Sequence, residues 1–195
     1  MKTIDVTIVG ISPLLVNRFS EEAEQAESTR RQLVVRGNPR DQASKAAYIA
    51  PDGTYYFSAV AIQRAMMDAG ASHKMKGSRK SVKWVVPSAV LMTTEAVTIC
   101  DGNGAPAKSF EVDSRPVNIP STKGRIMRHR PKFNEWSAHF DLVIDELSLP
   151  IELAHQLLNE AGQFQGIGDY RPSRTGVFGR FRVTDFNERV SKSKD

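Results

Sequence analysis

Cysteine is nearly absent from this sequence. The 195 residues include a single one, Cys100, so no intrachain disulfide can form and a reducing compartment is expected. Cys100 ends an apolar run and leads into a turn, a setting that does not indicate a catalytic thiol. No Cys/His spacing is typical of a zinc site, and no Gly-Lys-Ser/Thr follows the glycines as a P-loop requires. We therefore predict neither a metal nor a cofactor.

Long hydrophobic runs are missing as well. No signal peptide or membrane span is apparent, so we expect a cytoplasmic protein without a membrane partner. Hydrophobic residues still make up 40% of the chain, enough for the core of one globular domain. We predict a single domain over residues 1–187, with insertions at about 17–47 and 100–132 and a disordered tail at 188–195.

Acidic residues are absent from two long segments, 69–94 and 114–134, in a chain of net charge +5 and pI about 9.4. Such segregation indicates a basic surface for a polyanion, and the alternative is two solvated lysine-rich loops. The cations of these two segments are Lys74, Lys76, Arg79, Lys80, Lys83, Arg115, Lys123, Arg125, Arg128, Arg130 and Lys132.

Hydrophobic periodicity predicts a mixed fold. Residues 3–9 and 136–145 alternate between apolar and polar side chains, which is typical of half-buried strands. Apolar residues recur at helical spacing after Ser58, a candidate N-cap, and again over 151–161. Further strands are predicted at 55–57, 82–92, 95–99 and 177–184, and an extended arm or long hairpin within 105–132. This order predicts an α+β protein with a ferredoxin-like (RRM-like) antiparallel sheet, helices on one face and an inserted basic arm.

Glycines and arginines are frequent in the stretch from residue 166 to 183, which follows the last predicted helix and runs into the last predicted strand. Glycine permits positive φ and a close approach of a ligand, and a loop of bare N–H groups edged by guanidinium groups suits phosphate. The order helix, glycines, strand is the reverse of the dinucleotide-binding order. The candidate binding residues here are Gly166, Gly168, Tyr170, Arg171, Arg174, Arg180 and Arg182.

Three features together resemble the RAMP superfamily, the ferredoxin-like proteins of CRISPR effector complexes. They are the first strand running into residues 10–15, the aromatic residues at 55–57 before a helix, and the glycine-rich loop. The closest likeness is to the backbone subunits that polymerise along a guide RNA, in which an inserted hairpin presses on the nucleic acid. It implies that residues 105–132 are such an arm and that other effector subunits are partners. Residues 60–64 depart from the Ser-Leu-Lys-Gly-like start of the first helix in those subunits, so a stand-alone relative encoded by a mobile element is the alternative.

Binding of single-stranded RNA or DNA without catalysis is the leading hypothesis. Lysine and arginine neutralise phosphates, and aromatic side chains stack on unpaired bases. We expect repeated subunits to coat the strand as a homo-oligomer or filament. Aromatic candidates are Trp84, Phe133, Trp136, Tyr170 and Phe178, with Trp136 favoured as core; Phe178, Arg180 and Arg182 are predicted to share one face of the last strand. The binding candidates outside the glycine-rich stretch are Lys74, Lys76, Arg79, Lys80, Lys123, Arg125, Arg128, His129, Arg130 and Lys132.

Two other functions remain open at this point. Some RAMP relatives cleave RNA without a metal by using histidine as a general acid or base, and His129 and His73 would take that role here. The third hypothesis is a structural assembly protein, in which apolar residues of the arm serve subunit contacts.

Overall fold

The computed structural model describes residues 1–18, 37–118 and 124–189, which form an α+β protein. The strands are β1 Lys2–Gly10, β2 Leu14–Leu15, β3 Tyr56–Ser58, β4 Val90–Met92, β5 Ala96–Thr98, β6 Glu111–Asn118, β7 Arg125–Phe133, β8 Ser137–Ile144 and β9 Phe181–Glu188. The α-helices are α1 Pro39–Lys45, α2 Val60–Ala69, α3 Val86–Ala89 and α4 Ile151–Glu160. Of the helices in this described part, none is long and apolar enough to cross a membrane.

The main sheet has four strands in the order β4-β8-β1-β9, and every neighbouring pair is antiparallel. The alternation predicted for β1 is confirmed, because Ile4, Val6 and Ile8 are fully buried whereas Asp5 and Thr7 lie on the partly exposed side. The strand predicted at 136–145 is confirmed as β8, which pairs with β1 along its whole length. The sheet therefore has one apolar face and one open polar face.

Helices α2 and α4 cover the apolar face and contact each other. Their buried side chains, among them Met66 and Leu157, join the same core as the inward residues of β1 and β8. Trp136 is the largest fully buried side chain, and its Nε1 donates a hydrogen bond to the carbonyl oxygen of Ser12 at 2.9 Å. The ring packs edge-on against Phe57 and Phe181, so the preference for Trp136 as a core residue is confirmed.

Strands β6 and β7 form a long hairpin, which confirms the arm predicted within 105–132. The pairing runs from Glu111 opposite Lys132 to Asn118 opposite Arg125. Residues 119–123, including the candidate Lys123, lie outside the described residues. The short strand β2 pairs with the other edge of β7, so the base of the hairpin is joined to the segment that follows β1.

The segment 82–92 differs from the predicted strand. Residues Val82–Trp84 form a 3-10 turn whose first amide groups are capped by Ser81, and α3 follows before β4 begins at Val90. Pro87 lies in the first turn of α3, where the missing N–H costs nothing, which explains why helix replaces strand there. Ser58 is also not the N-cap of α2, since it lies in β3 and Ala59 precedes the helix without a side-chain cap.

The last strand begins and ends later than predicted. It starts at Phe181 rather than 177 and continues to Glu188, whose carboxylate receives a hydrogen bond from Lys2 at 3.0 Å. Arg189 then donates its backbone N–H to the carbonyl oxygen of Thr3 at 2.8 Å. The tail predicted from residue 188 is therefore ordered at its start, and residues 190–195 lie outside the described part.

Candidate nucleic-acid interface

The glycine loop, residues 166–180, follows a π turn at Ala161–Gln165 and leads into β9. Gly166, Gly168 and Gly179 have φ values of +67°, +76° and +71°, a conformation that side chains other than glycine rarely adopt. A Cβ atom added at Gly168 would overlap the carbonyl oxygen of Leu15, and one at Gly179 would overlap that of Ile167. These glycines allow the loop to pack closely against β2 and against itself.

The amide groups of this loop bind protein oxygens, so the prediction of bare N–H groups is wrong for them. The amide of Ile167 donates to the oxygen of Gly179 at 2.9 Å, and that of Asp169 donates to Leu15 at 2.8 Å. The amide of Gly179 donates to Pro13 at 2.8 Å. These three backbone donors already have partners and are not available to an anion.

Three arginines of the glycine loop are the cations available there. Arg171 is oriented by hydrogen bonds from Nη1 to the oxygen of Gly168 and from Nε to the hydroxyl of Ser173, each 2.9 Å long. Arg174 and Arg180 are exposed. Within the described ranges, none of the three forms a salt bridge to a carboxylate, so their charge is free to meet an anion.

The two faces of the hairpin separate the basic candidates that are adjacent in sequence. Side chains of directly opposite residues in an antiparallel pair lie on the same face. Arg115 is opposite Arg128 and Asp113 is opposite Arg130, so these four share one face. His129 lies on the other face opposite Ser114, and Arg125 shares that face. The first face meets the glycine loop, as the following contacts show.

Arg115, a cation of the second acid-free segment that was not among the named binding candidates, joins the hairpin to the glycine loop. Its guanidinium carbon lies 5.2 Å from the ring centre of Tyr170 and 4.6 Å from that of Phe178. The hydrogen bonds that it donates to Asp113 raise the pKa of Arg115. The spacing Asp113-x-Arg115 places both charges on one face of a strand. This spacing could have predicted the ion pair from the sequence.

Arg130 is a buried structural cation. Its side chain is 7% exposed, and its Nε lies 2.6 Å from Oδ2 of Asp169 in the glycine loop. The contact is an ion pair without good hydrogen-bond geometry, since Nε and Nη1 of Arg130 have no hydrogen-bond partner. The prediction that Arg130 contacts phosphate is corrected accordingly, because the side chain has almost no free surface. It fixes the glycine loop against β7 instead.

The other hairpin cations keep more exposure. Arg125 is exposed and Arg128 is half-buried. Lys132 lies 3.1 Å from Glu111 across the strand pair. Hydrogen bonds from Asn134 and Lys132 hold the pKa of Glu111 below its ordinary value, although Glu111 is exposed.

The basic loop, residues 74–80, is closed by a β-bridge between Lys74 and Ser81 and projects from the end of α2. Its four cations, Lys74, Lys76, Arg79 and Lys80, are all exposed. Near this loop in the chain, Arg64 and Lys83 both contact Asp68 on α2, at 3.5 Å and 3.4 Å. The first half of α2 in turn lines a cleft together with Gly168 and Arg171.

The aromatic candidates divide into buried and accessible side chains. Phe133 is 6% exposed and belongs to the core, as Trp136 does. Trp84 is 73% exposed beside Lys83, and Tyr170 is 41% exposed in the glycine loop. Phe178 lies in the loop under Arg115 and not on β9, so the platform predicted with Arg180 and Arg182 on one strand is wrong. Both of those arginines are exposed, and Arg182 pairs with β1.

The two histidines considered for catalysis, His129 and His73, each contact a side chain of the protein. Nδ1 of His129 lies 2.7 Å from the hydroxyl oxygen of Ser114, and Nε2 of His73 lies 2.7 Å from Oε2 of Glu160. Burial raises the pKa of Glu160, but the hydrogen bonds from His73 and Gln156 outweigh it and hold the pKa below its ordinary value. His73 therefore anchors the start of the basic loop to the end of α4.

The open face of the main sheet carries an ionic network. Asp5, His139 and Asp141 bring ligand-type atoms within 4.8 Å of one another. Arg189 already bridges both carboxylates, at 3.2 Å to Asp5 and 2.8 Å to Asp141. The cation of this network already has two carboxylate partners, which makes the network a poor contact for a polyanion.

We call the following set of residues the cationic surface: the loop-facing side of the hairpin, the glycine loop, Arg64, Lys83 and the basic loop. Its parts come from three stretches of the chain, residues 64–83, 111–133 and 166–180. Arg115 and Arg130 join the hairpin to the glycine loop, and the glycine loop and α2 line one cleft. In comparison with known proteins, no protein-family model and no curated protein matches this chain.

Proposed function

We propose that this protein binds single-stranded nucleic acid, RNA or DNA, along the cationic surface and performs no chemistry on it. The observation that carries the proposal is that the hairpin contacts the glycine loop directly, and that the glycine loop and the stretch 64–83 line one cleft. Phosphate contacts are the main source of affinity for nucleic acid and depend little on base sequence. The exposed rings of Tyr170 and Trp84 lie beside this surface and suit stacking with unpaired bases.

An uncompensated charge on the hairpin supports this proposal. Arg115 and Arg128 are directly opposite each other, and like charges in that position are destabilising. Asp113 neutralises Arg115 and Asp169 neutralises Arg130, whereas Arg128 has no carboxylate partner in the described part of the chain. A bound phosphate at Arg128 would relieve this repulsion.

The topology supports a ferredoxin-like assignment within the proposal. Along the chain, the strands and helices of the main layer follow the order β1, α2, β4, β8, α4 and β9, with β1 and β8 central. This is the β-α-β-β-α-β order of that fold, and the hairpin is inserted between β4 and β8. The same arrangement is what the resemblance to RAMP backbone subunits implies, so we propose that subunits coat the strand as a homo-oligomer in the cytoplasm.

Replacing Arg128 with alanine is expected to weaken binding of single-stranded RNA or DNA and to flatten its salt dependence. Loss of one phosphate contact should reduce the slope of log K against log salt by about 0.7. The measurement is fluorescence anisotropy of a labelled strand over a salt series. Lys2→Ala is the matched control, since Lys2 lies at the far end of β1, about 27 Å along the strand from Gly10.

A slope that Lys2→Ala changes as much as Arg128→Ala would show that only net charge matters and would contradict a defined surface. An unchanged slope in Arg128→Ala would remove the hairpin from the interface. Thermal unfolding of both variants checks that neither change alters the fold.

A further inference from the structure

A cleft of about 400 Å³ lies between the first turns of α2 and the glycine loop. Residues Phe57, Ala61 and Ala65 line one side, and Ile167, Gly168 and Arg171 line the other. A volume of this size is in the range of about 300–1,000 Å³ that is typical of small-molecule sites. The cleft can therefore admit a group as large as a nucleobase.

The floor of the cleft is apolar and rigid. Phe57, Ala65 and Ile167 are 3%, 4% and 1% exposed, so they belong to the packed core and present only an edge to the cleft. Tyr48 also lines the cleft and packs against Tyr56 with ring centres 5.3 Å apart. A flat aromatic ligand would gain contact area here without rearrangement of the core.

The rim of the cleft carries one cation, Arg171, that forms no salt bridge among the described residues. Both carboxylates of the lining already have cationic partners, Asp68 with Arg64 and Lys83, and Asp169 with Arg130. Arg171 remains, held in place by Gly168 and Ser173 and without a salt bridge among the described residues. The arrangement fits a ligand with an apolar flat part and an adjacent anion.

We propose that this cleft receives one unstacked base of the bound strand, with the neighbouring phosphate on Arg171. The proposal rests on the proposed function, and it adds a cleft for one base to a surface that otherwise holds phosphates and presents the exposed rings of Tyr170 and Trp84. It explains why an apolar cleft opens among the cations. It also makes the protein selective for single strands, because a paired and stacked base cannot enter.

The test measures the affinity of two nucleic-acid strands for the wild-type protein, for a variant with the cleft filled and for a control variant. One strand is oligoadenylate, made as RNA or DNA according to which the protein prefers. It is longer than a typical single-strand binding site, which spans about 4–16 nucleotides. The other is the same backbone without bases. Ala61→Trp fills the cleft from α2, and Ala61→Leu fills it more mildly if the tryptophan variant unfolds. Ala105→Trp is the control, because Ala105 is exposed in a turn and does not line the cleft.

Wild-type protein is expected to bind oligoadenylate about tenfold or more tightly than the abasic strand, as stacking of one base predicts. Ala61→Trp should reduce that difference by about tenfold, the contribution of one base, and leave the abasic affinity unchanged, whereas Ala105→Trp should keep the whole difference. Adenosine 5′-monophosphate should displace the strand poorly, since it lacks the other phosphates.

Equal binding of both strands by wild-type protein would overturn the base subsite and leave the proposed function intact. An unchanged difference in Ala61→Trp and Ala61→Leu would also overturn it, by placing the base contact elsewhere. Displacement of the strand by the mononucleotide at low concentration would assign the cleft to a free nucleotide. Absence of binding to either strand would overturn the subsite and the proposed function together.

Discussion

Replacing Gly168 with alanine is expected to destabilise the protein by about 2–5 kcal/mol. Part of this cost, about 1–2 kcal/mol, comes from the φ of +76°, which is strained for a residue with a Cβ atom. The rest, about 1–3 kcal/mol, comes from overlap of the new methyl group with Leu15, which must move to make room. The measurement is thermal or denaturant-induced unfolding of the variant and of the wild-type protein.

Gly53→Ala is the matched control for this prediction. Gly53 has a similar φ of +82°, but a Cβ atom there would meet nothing within 4 Å. The control should therefore lose only about 1–2 kcal/mol, and the difference between the variants measures the tight contact between the glycine loop and β2. Equal loss in the two variants would mean that the loop does not pack as described. We also expect Gly168→Ala to weaken binding of single-stranded nucleic acid, since Arg171 depends on the carbonyl oxygen of Gly168.

Removing all four cations of the basic loop is expected to have the largest effect on binding. Lys74, Lys76, Arg79 and Lys80 are exposed, so alanine at these positions should leave the unfolding temperature unchanged. If each cation contacts a phosphate, the slope of log K against log salt should flatten by up to about 3. Association should slow by about tenfold or more at low salt. Stopped-flow and equilibrium anisotropy measure the two quantities.

A double variant provides the control for net charge. Lys76→Ala with Arg79→Ala removes the same charge as Lys2→Ala with Arg189→Ala, whose cations lie at the far end of β1 and on the open face of the sheet. Only the first pair should flatten the salt dependence by about 1.4, which corresponds to two contacts. Similar slopes in both pairs would exclude the basic loop from the interface.

Patterns of local sequence predicted much of the fold, because alternation and helical spacing depend on which side of one element is buried. They predicted β1, β8, α2, α4 and the hairpin in this way. They failed over most of 82–92, because an apolar run without a clear period is compatible with a strand or a helix. Pro87 in the first turn favours the short helix found there. The start of β9 was also misplaced, because the glycine loop itself is extended and ends in alternating residues.

The candidate site was predicted at the level of segments and less well at the level of residues. Burial of Arg130 depends on Asp169, a residue 39 positions later that only the fold brings within 2.6 Å. The separation of Arg128 from His129 follows from strand alternation and was predictable once the hairpin was assumed. The role of the glycines depends on backbone contacts with Leu15 and Ile167, which no local pattern encodes.

The most direct test of the account is the binding of wild-type protein to labelled single-stranded RNA, single-stranded DNA and duplex, each over a salt series without divalent metal. We predict tight binding of at least one single strand, weaker binding of duplex, affinity that falls linearly with log salt, and full-length RNA on a gel afterwards. Shortened RNA would contradict binding without chemistry and would direct attention to His129 and His73. Absence of binding to all three would contradict the central claim that the cationic surface holds nucleic acid.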